Sequence, residues 1–229
     1  AARKISSALI NARMSDKSYK GWKRFGKTIT KLLRSFDVVL TQSIEDKRRY
    51  VELGHSHVKE CGNIKYNSDR LPVDKEDLLS LEKRFKERPA WVYASTHAGE
   101  EIIACEIHNR MKTFLPNILT FIVPRHPERR TEIAQSCDNE QNAILFRSAM
   151  HTPPDNTEIY VIDTLGELGL FYRLADIAVI GRTLSTDGGG GHNPLEAAQL
   201  NCATLYGPLY QNQKEIFKNR IIQRLTTWL

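Results

Sequence analysis

The sequence predicts an α/β protein built around parallel sheets. Short apolar runs alternate with amphipathic helical patterns along almost all of the 229 residues, an order typical of parallel strands joined by right-handed crossovers. Hydrophobic residues make up 41% of the chain, which is enough for a substantial core. Four successive glycines, Gly188 to Gly191, stand between an apolar run and a helical pattern, a position typical of phosphate-binding loops.

The first part of the chain is predicted to be the end of a nucleotide-fold domain. Short β-rich runs flank a basic helical pattern, and a second helical stretch follows. The predicted elements are a strand at Ala8 to Ile10, a basic helix within residues 17–34, a strand at Val38 to Thr41, a helix from about Ile44 to Leu53 and a strand near Val58 to Cys61. We therefore assign residues 1–65 to the C-terminal part of a first Rossmann-like domain.

A second domain is predicted after a change in composition. Polar residues, a Leu-Pro pair and a charged helix at Lys75 to Lys86 indicate that residues 66–88 connect two domains, and residues 89–229 form the second. Its predicted elements are strand Trp91 to Ala94, helix Glu100 to Phe114, strands Leu119 to Val123, Ala143 to Phe146 and Ile159 to Ile162, helix Glu167 to Leu174, strand Ile177 to Ile180, helix Leu195 to Leu200, strand Ala203 to Tyr206 and a basic helix Lys214 to Arg224.

The positive charge of the chain is concentrated in one segment. The formal net charge is +6, and seven basic residues with no acid lie between Asp16 and Asp37. The basic residues that recur at helical spacing are Lys20, Arg24, Lys27, Lys31 and Arg34, and the apolar residues off that stripe are Trp22, Phe25, Ile29, Leu32 and Phe36. Such a helix can meet anionic lipid or a phosphorylated acceptor, or it can be an ordinary solvated face.

Several kinds of segment and site are not predicted. No apolar stretch approaches the roughly 18 to 20 residues of a membrane span, and no signal peptide opens the chain. The four cysteines, Cys61, Cys105, Cys137 and Cys202, have no ligand-pair spacing, which argues against zinc and against a disulfide framework. No Asp-x-Asp triplet occurs, so neither a metal nor another cofactor is expected.

Polar motifs follow four strands of the predicted second sheet. Ligands bind beyond the carboxyl ends of strands in open parallel sheets, so these motifs are candidates for one site. They are residues 95–97, residues 124–126, residues 163–167 and the glycine loop with residues 193–196. Arg125 suits a phosphate because its guanidinium presents a rigid fork of donors.

The run that follows the glycines has two interpretations. Asn193 fits an N-cap with Pro194 in the first helical position, and Glu196 can reach back to Asn193 as in a capping box. A simple cap needs neither four glycines nor His192, which favours a ligand at the same helix end.

Five sequence strings occur in an order that resembles the bacterial 3-deoxy-D-manno-octulosonic acid (Kdo) transferases. They are LINARMS at 9–15, STHAGEE at 95–101, PRHPER at 124–129, DTLGELGLFYRLADIAVIG at 163–181 and GGGGHNPLEAA at 188–198. The resemblance implies a B-type glycosyltransferase fold of two Rossmann-like domains, the first only partly present. It also implies transfer of Kdo from CMP-Kdo to a lipid A precursor, lipid IVA, at the cytoplasmic face of the bacterial inner membrane.

The resemblance also implies which residues form the donor site. The positions that match CMP contacts of the family are Pro124, Arg125, Leu165, Gly166, Glu167, Asn193, Pro194, Leu195 and Glu196, and further donor-site candidates are Ser95, Thr96, His126, Gly191 and His192. Arg182 and Thr183 stand where the family commonly has Gly-Ser, which puts a cation near the predicted pocket. Positions 188 and 204, eight residues from Glu196, are not glutamate, which fits an inverting reaction, and the absence of an Asp-x-Asp triplet fits a metal-independent one.

The general base of the resembling family is a glutamate that precedes the LINARMS motif, so no catalytic residue is predicted within this chain. We therefore expect a piece of a longer enzyme, with a membrane anchor before Ala1 and further helices after Leu229, that is inactive on its own. Its predicted partners are CMP-Kdo, a lipid A precursor and the anionic inner-membrane surface, contacted through the basic helix within residues 17–34; no nucleic acid is expected.

Two alternatives remain open from the residues. One is another B-type enzyme that transfers or epimerises a UDP-sugar. The other is a nonenzymatic protein that binds nucleic acid or membranes through the basic helix, although no known nucleic-acid-binding module is present. Donor preference distinguishes the first alternative, and RNA binding with a steep salt dependence but no nucleotide affinity would favour the second.

Overall fold

A computed structural model describes residues 5–64, 69–139, 143–185, 187–213, 216 and 226–228. The chain divides into two compact units, Ala1–Asp69 and Arg70–Leu229, each built on a parallel sheet, so the predicted α/β class is confirmed. The charged helix predicted to lie in the connector belongs to the second unit, where it contacts another helix. Within the described ranges, none of the helices combines the length and the apolar composition of a membrane span.

The first unit is a three-stranded parallel sheet with strand order β1-β2-β3. Its strands are β1 (Ala8–Ala12), β2 (Val38–Thr41) and β3 (Val58–Glu60), and its helices are α1 (Asp16–Lys23), α2 (Gly26–Leu33) and α3 (Ile44–Glu52). Helix α3 begins where the Ser43 hydroxyl accepts a hydrogen bond from the Asp46 amide. The buried Asp46 carboxylate in turn accepts the Met14 amide at 2.8 Å, which fastens the end of β1 to α3.

The predicted single basic helix is two helices. Helix α1 ends at Lys23 and α2 begins at Gly26, because Phe25 leaves the helical region with φ −108° and ψ 41°. The break lets Ile29 pack into the core, whereas Trp22, Phe25 and Leu32, which also lie off the basic stripe, stay at the surface. These three side chains are 38%, 63% and 51% exposed, beside the exposed lysines of the same segment.

The second unit is a seven-stranded parallel sheet flanked by helices. Its strands are β4 (Ala90–Thr96), β5 (Leu119–Pro124), β6 (Ile144–Phe146), β7 (Ile159–Val161), β8 (Ile177–Ile180), β9 (Ala203–Tyr206) and β10 (Thr226–Trp228). Its helices are α4 (Lys75–Phe85), α5 (Glu100–Lys112), α6 (Arg130–Asn139), α7 (Leu168–Leu174) and α8 (Leu195–Gln199), with 3₁₀ turns at Pro127–Arg129 and Gln211–Gln213. Helix α6 and strand β10 are additions to the predicted elements, and the predicted basic helix at 214–224 lies outside the described residues apart from Ile216.

The strand order β10-β9-β8-β4-β5-β7-β6 places β4 at the centre of the sheet. The chain runs outward from β4 through β5 to the pair β6 and β7, then returns to the other side of β4 to form β8. This reversal opens a crevice between the carboxyl ends of β4 and β8. Beneath it, the inner strands are buried on both faces, as in the cluster of Tyr93, Ile122 and Val179. Cys105 of α5 and Cys137 of α6 join this core with their Sγ atoms 2.8 Å apart.

Candidate functional site

The carboxyl ends of four strands bring the predicted donor-site loops to one edge of the second sheet. Residues 97–99 follow β4, residues 125–129 follow β5, residues 162–167 follow β7 and residues 181–194 follow β8. The loops after β4 and β8 face each other across the crevice where the strand order reverses, the usual ligand site of open parallel sheets.

A buried carboxylate fastens the loop after β4 to the loop after β8. Glu100, the first residue of α5, has no exposed surface. Its Oε2 accepts hydrogen bonds from the amides of His97 at 2.9 Å and Arg182 at 2.8 Å, and its Oε1 accepts one from the Leu184 amide at 3.2 Å. One buried side chain therefore connects both walls of the crevice.

Thr96 connects two loops from a buried position. Its hydroxyl donates to Glu101 at 2.7 Å, and its carbonyl accepts the amide of Arg125 at 3.0 Å. The geometry therefore gives Thr96 a structural role in place of the predicted contact with a ligand. Of its neighbours, Ser95 is half-buried with φ 61°, Pro124 is buried, and the Arg125 side chain extends into solvent at the mouth of the site.

The glycine loop folds tightly, but three of its amides do not face a ligand. All four glycines have positive φ, at 95°, 62°, 113° and 72°, and a Cβ on Gly189 would lie 2.4 Å from the Leu209 Cβ. The amides are donated within the protein: Gly189 to Asp187 Oδ1 at 3.0 Å, Gly190 to the Leu209 carbonyl at 3.2 Å and Gly191 to the Arg182 carbonyl at 3.1 Å. These three amides are therefore not available to the phosphate that a glycine loop at this position predicts.

Helix α8 begins at Leu195, as in the predicted helix Leu195 to Leu200, but Pro194 takes the cap position that the motif assigned to Asn193. Asn193 Oδ1 accepts the Leu195 amide at 3.1 Å, and Asn193 Nδ2 donates to Glu196 Oε1 at 3.3 Å. Asn193 thus caps the helix, while the predicted reach of Glu196 to the Asn193 backbone is replaced by a contact between side chains. Because α8 has only five residues, anion binding at this edge must rest chiefly on side chains.

Three histidines meet at the crevice. His97 Nε2 lies 2.9 Å from His192 Nε2 with the two rings stacked at 5.1 Å, and the ring of His126 stands edge-on to His97 at 5.8 Å. Burial, followed by the positive charges of His97, Arg125 and Arg182, lowers the pKa of His192 to about 4. Burial also lowers the pKa of His97. Near neutral pH the crevice therefore holds His97 and His192 in their neutral forms, in the positive field of two arginines.

The loop after β7 is held in place by a buried arginine. The Glu167 carboxylate accepts hydrogen bonds from Arg147 Nε at 3.0 Å and Nη2 at 2.6 Å, and from the Thr164 hydroxyl. The Arg147 side chain has no exposed surface and also forms an ion pair with Asp77 of α4. Burial alone would raise the pKa of Glu167, but the hydrogen bonds and charge of Arg147 outweigh it and lower the pKa.

The same cluster resembles a metal site in its donor atoms. Asp77, His151 and Glu167 each offer a ligand atom within 4.8 Å of the others. Arg147 Nη2 lies 3.0 Å from His151 Nε2 and 2.6 Å from Glu167 Oε1, and it also contacts Asp77. A guanidinium thus stands among the three groups and supplies the positive charge that they require.

Some of the predicted residues are exposed at the site, whereas other residues fix the positions of its loops through hydrogen bonds. Leu165 and Gly166 form the tip of the loop after β7, where Leu165 is 80% exposed and Gly166 has φ 85°. The sequence places His97 among the polar motifs that follow the strands, but it does not single out Glu100 or Arg147. Glu100 lies within the STHAGEE string, which could have pointed to it, whereas the partners of Arg147 are distant in sequence and leave no local pattern.

The first unit and the full chain both match known proteins. Residues 1–68 match the family described as 3-deoxy-D-manno-octulosonic-acid transferase (kdotransferase). The 3-deoxy-D-manno-octulosonic acid transferase of Rickettsia bellii is 34% identical over 218 residues, which are 95% of this chain and 51% of that protein. The Haemophilus influenzae protein of the same name is 34% identical over 221 residues, 94% of this chain and 51% of that protein. The chain thus spans about half the length of the curated relatives it matches.

Two solved structures are similar to this chain. The C-terminal CMP-Kdo binding domain of WaaA from Acinetobacter baumannii is 31% identical, with a TM-score of 0.62, and the match covers 67% of this chain and 80% of that domain. The apo structure of OtsA is 11% identical with a TM-score of 0.51 over 99% of this chain and 56% of that chain, a likeness of fold alone. These matches confirm the predicted B-type glycosyltransferase fold.

Proposed function

The chain belongs to the 3-deoxy-D-manno-octulosonic acid (Kdo) transferase family, and we propose that its second unit binds CMP-Kdo as the donor for transfer of Kdo to a lipid A precursor. The observation that carries the proposal is the grouping of the loops after β4, β5, β7 and β8 around one crevice of the sheet. The CMP contacts that we propose are Pro124, Arg125, Leu165, Gly166, Glu167, Asn193, Pro194, Leu195 and Glu196, with Ser95, His126, Gly191 and His192 lining the rest of the donor site.

Within this site, we assign the phosphate to Arg125. Its backbone is held by the Thr96 carbonyl at 3.0 Å while its guanidinium is exposed at the mouth of the crevice, so it can form two parallel hydrogen bonds to phosphate oxygens. The Glu167 side chain is less available to bind CMP, because its carboxylate already accepts hydrogen bonds from Arg147. We therefore expect the loop after β7 to contact CMP through Leu165, Gly166 and backbone atoms.

The proposed reaction is an inverting, metal-independent displacement. An acceptor hydroxyl oxygen bonds to the anomeric carbon of Kdo as the bond from that carbon to the phosphate oxygen breaks, and the electron pair leaves with CMP. Arg125 stabilises the charge that develops on the leaving phosphate. The hydroxyl proton passes to a general base, for which no residue of this chain is proposed.

The Arg125→Ala variant is expected to bind CMP less tightly by about 1.5–3 kcal/mol, the range for hydrogen bonds to a charged group, while remaining folded. Isothermal titration calorimetry with CMP measures this difference. The Arg110→Ala variant is the matched control, because Arg110 is exposed on α5 away from the strand ends and its loss should leave CMP binding unchanged.

The same titrations separate the alternatives. CMP should bind the wild-type chain more tightly than UMP; equal affinities would favour an enzyme that uses a UDP-sugar. Unchanged CMP affinity in a folded Arg125→Ala protein would contradict the phosphate assignment. RNA binding without nucleotide affinity would favour a nonenzymatic nucleic-acid-binding protein.

We propose further that the first unit contacts the anionic cytoplasmic face of the inner membrane through α1 and α2. Phe25 is 63% exposed and Leu32 is 51% exposed, and the exposed Lys27 and Lys31 lie between them in sequence. An exposed apolar group with cations around it is the arrangement that binds an anionic lipid surface.

The Phe25→Ser variant is expected to bind vesicles of phosphatidylglycerol and phosphatidylcholine about ten- to a hundredfold more weakly, because a phenylalanine that enters the lipid interface contributes about 1.5–3 kcal/mol. Vesicle sedimentation measures the partition. Phe114→Ser is the matched control, since Phe114 is 84% exposed in the second unit. Equal losses in both variants, or equal binding to phosphatidylcholine alone, would contradict this surface.

A further inference from the structure

The crevice between β4 and β8 contains more groups that can bind an anion than one phosphate needs. His97 comes from the loop after β4, while Arg182 and His192 come from the loop after β8. The acidic groups around them are already engaged. Asp187 lies 3.4 Å from His97 Nδ1 and 3.1 Å from Arg182 Nε, and the Glu100 carboxylate accepts three backbone amides.

The contact between the two histidines defines their protonation. A distance of 2.9 Å between His97 Nε2 and His192 Nε2 requires that one nitrogen carries a proton and the other accepts it. A second proton would leave two N–H donors facing each other. That state needs an acceptor between or beside the rings, and an anionic oxygen is the strongest one.

We propose that His97, His192 and Arg182 bind the carboxylate of the acidic sugar in the donor, and that this binding takes up one proton. The inference rests on the proposed function, and it assigns a second anion subsite distinct from the phosphate at Arg125. In CMP-Kdo the carboxylate is bonded to the same carbon as the phosphate oxygen, so the two anions are neighbours. Arg125 lies close enough to His192 to influence its titration, which fits two adjacent subsites.

The charges that face the pair determine the direction of the proton change. Arg125, Arg182 and His126 disfavour the charged form of His192, and burial acts in the same sense. On His97, Asp187 and Glu100 favour the charged form but burial outweighs them. A bound carboxylate adds a negative charge and accepts both N–H groups, so it raises the pKa of the pair and the proton enters from solvent.

Calorimetry in two buffers of different ionisation enthalpy tests the proposal with the 229-residue chain. At about pH 7, which lies above the lowered pKa values of both rings, CMP-Kdo should take up roughly one proton per molecule bound. The methyl ester of CMP, which has the phosphodiester charge but no carboxylate, should take up none. In His97→Gln, proton uptake should disappear and CMP-Kdo should bind about ten- to a hundredfold more weakly, with the methyl ester unaffected. His57→Gln, at an exposed histidine of the first unit, is the matched control.

NMR titration of the histidine ring protons in the wild-type chain provides a measurement that needs no variant. CMP-Kdo should raise the pKa of His192 from about 4, and the methyl ester should not. Binding of CMP-Kdo without proton uptake, or equal weakening of both ligands in His97→Gln, would overturn the carboxylate subsite while leaving the proposed donor function intact. Failure of both ligands to bind the folded wild-type chain would overturn the proposed function and this inference together.

Discussion

The Arg147→Met variant is expected to lose about 3–5 kcal/mol of the free energy of unfolding, the cost of removing one partner from a buried ion pair. The Arg147 side chain has no exposed surface, and its guanidinium forms ion pairs with both Asp77 and Glu167. Its removal leaves two carboxylates facing each other in a poorly solvated place. Methionine fills much of the same volume, so the loss measures charge and hydrogen bonding more than packing. Urea unfolding followed by circular dichroism gives the value.

Arg84→Met is the matched control for Arg147. Arg84 lies on α4, as Asp77 does, and pairs with Asp155, but the Asp155 side chain is 80% exposed. Pairs of this kind contribute about 0–1 kcal/mol. Similar losses in Arg147→Met and Arg84→Met would contradict the structural role assigned to the buried cluster.

The cost of the Arg147→Met substitution should shrink in acid. The pKa of Glu167 is lowered in the folded protein from its ordinary value of 4.5. A group with a depressed folded-state pKa stabilises the protein fully above its unfolded value, and this contribution is lost as the pH falls through the folded value. The difference between wild type and variant should therefore be largest near neutral pH and decline below about pH 4.5. A difference that stays constant into acid would show that Glu167 is not the main partner.

The fold was predictable where local patterns and tertiary packing agree. Val38–Thr41, Ile177–Ile180 and Ala203–Tyr206 form strands with the predicted bounds, because strands of a parallel sheet are short apolar runs between turn residues. Helix α6 was missed because its sequence, RTEIAQSCDN, contains few apolar residues, although Ile133 and Cys137 are buried. The break between α1 and α2 is set by packing on a small sheet and leaves no signal in the helical periodicity.

The sequence predicted which loops form the site, but not which hydrogen bonds their residues make. Strand ends and short motifs placed Arg125 and the glycine loop at one edge, because parallel strands align their carboxyl ends. Periodicity does not indicate which amides are already bonded, so the glycine amides were assigned to a ligand when they bond to Asp187, Leu209 and Arg182. Contacts between residues distant in sequence, such as His97 with His192, require the fold itself.

Replacing Glu100 with alanine is expected to destabilise the second unit by about 3 kcal/mol or more, since each buried donor left without an acceptor costs about 1–3 kcal/mol. The amides of His97, Arg182 and Leu184 all lose their acceptor. Without this connection the two loops should be held less rigidly against each other. CMP-Kdo binding should therefore fall at temperatures where the variant is still folded.

Two further variants test whether the Glu100 carboxylate causes the loss: Glu100→Gln as an intermediate case and Glu106→Ala as a control. Glutamine keeps one carbonyl oxygen but turns an NH₂ group toward a backbone N–H, so Glu100→Gln should lie between wild type and Glu100→Ala in stability. Glu106 is exposed on the same helix, and its removal should change the free energy of unfolding by less than about 0.5 kcal/mol. Urea unfolding measures stability, and amide hydrogen exchange at residues 97, 182 and 184 reports the connection directly. If Glu100→Ala were as stable as Glu106→Ala and kept slow exchange at these amides, the carboxylate would not be what holds the crevice together.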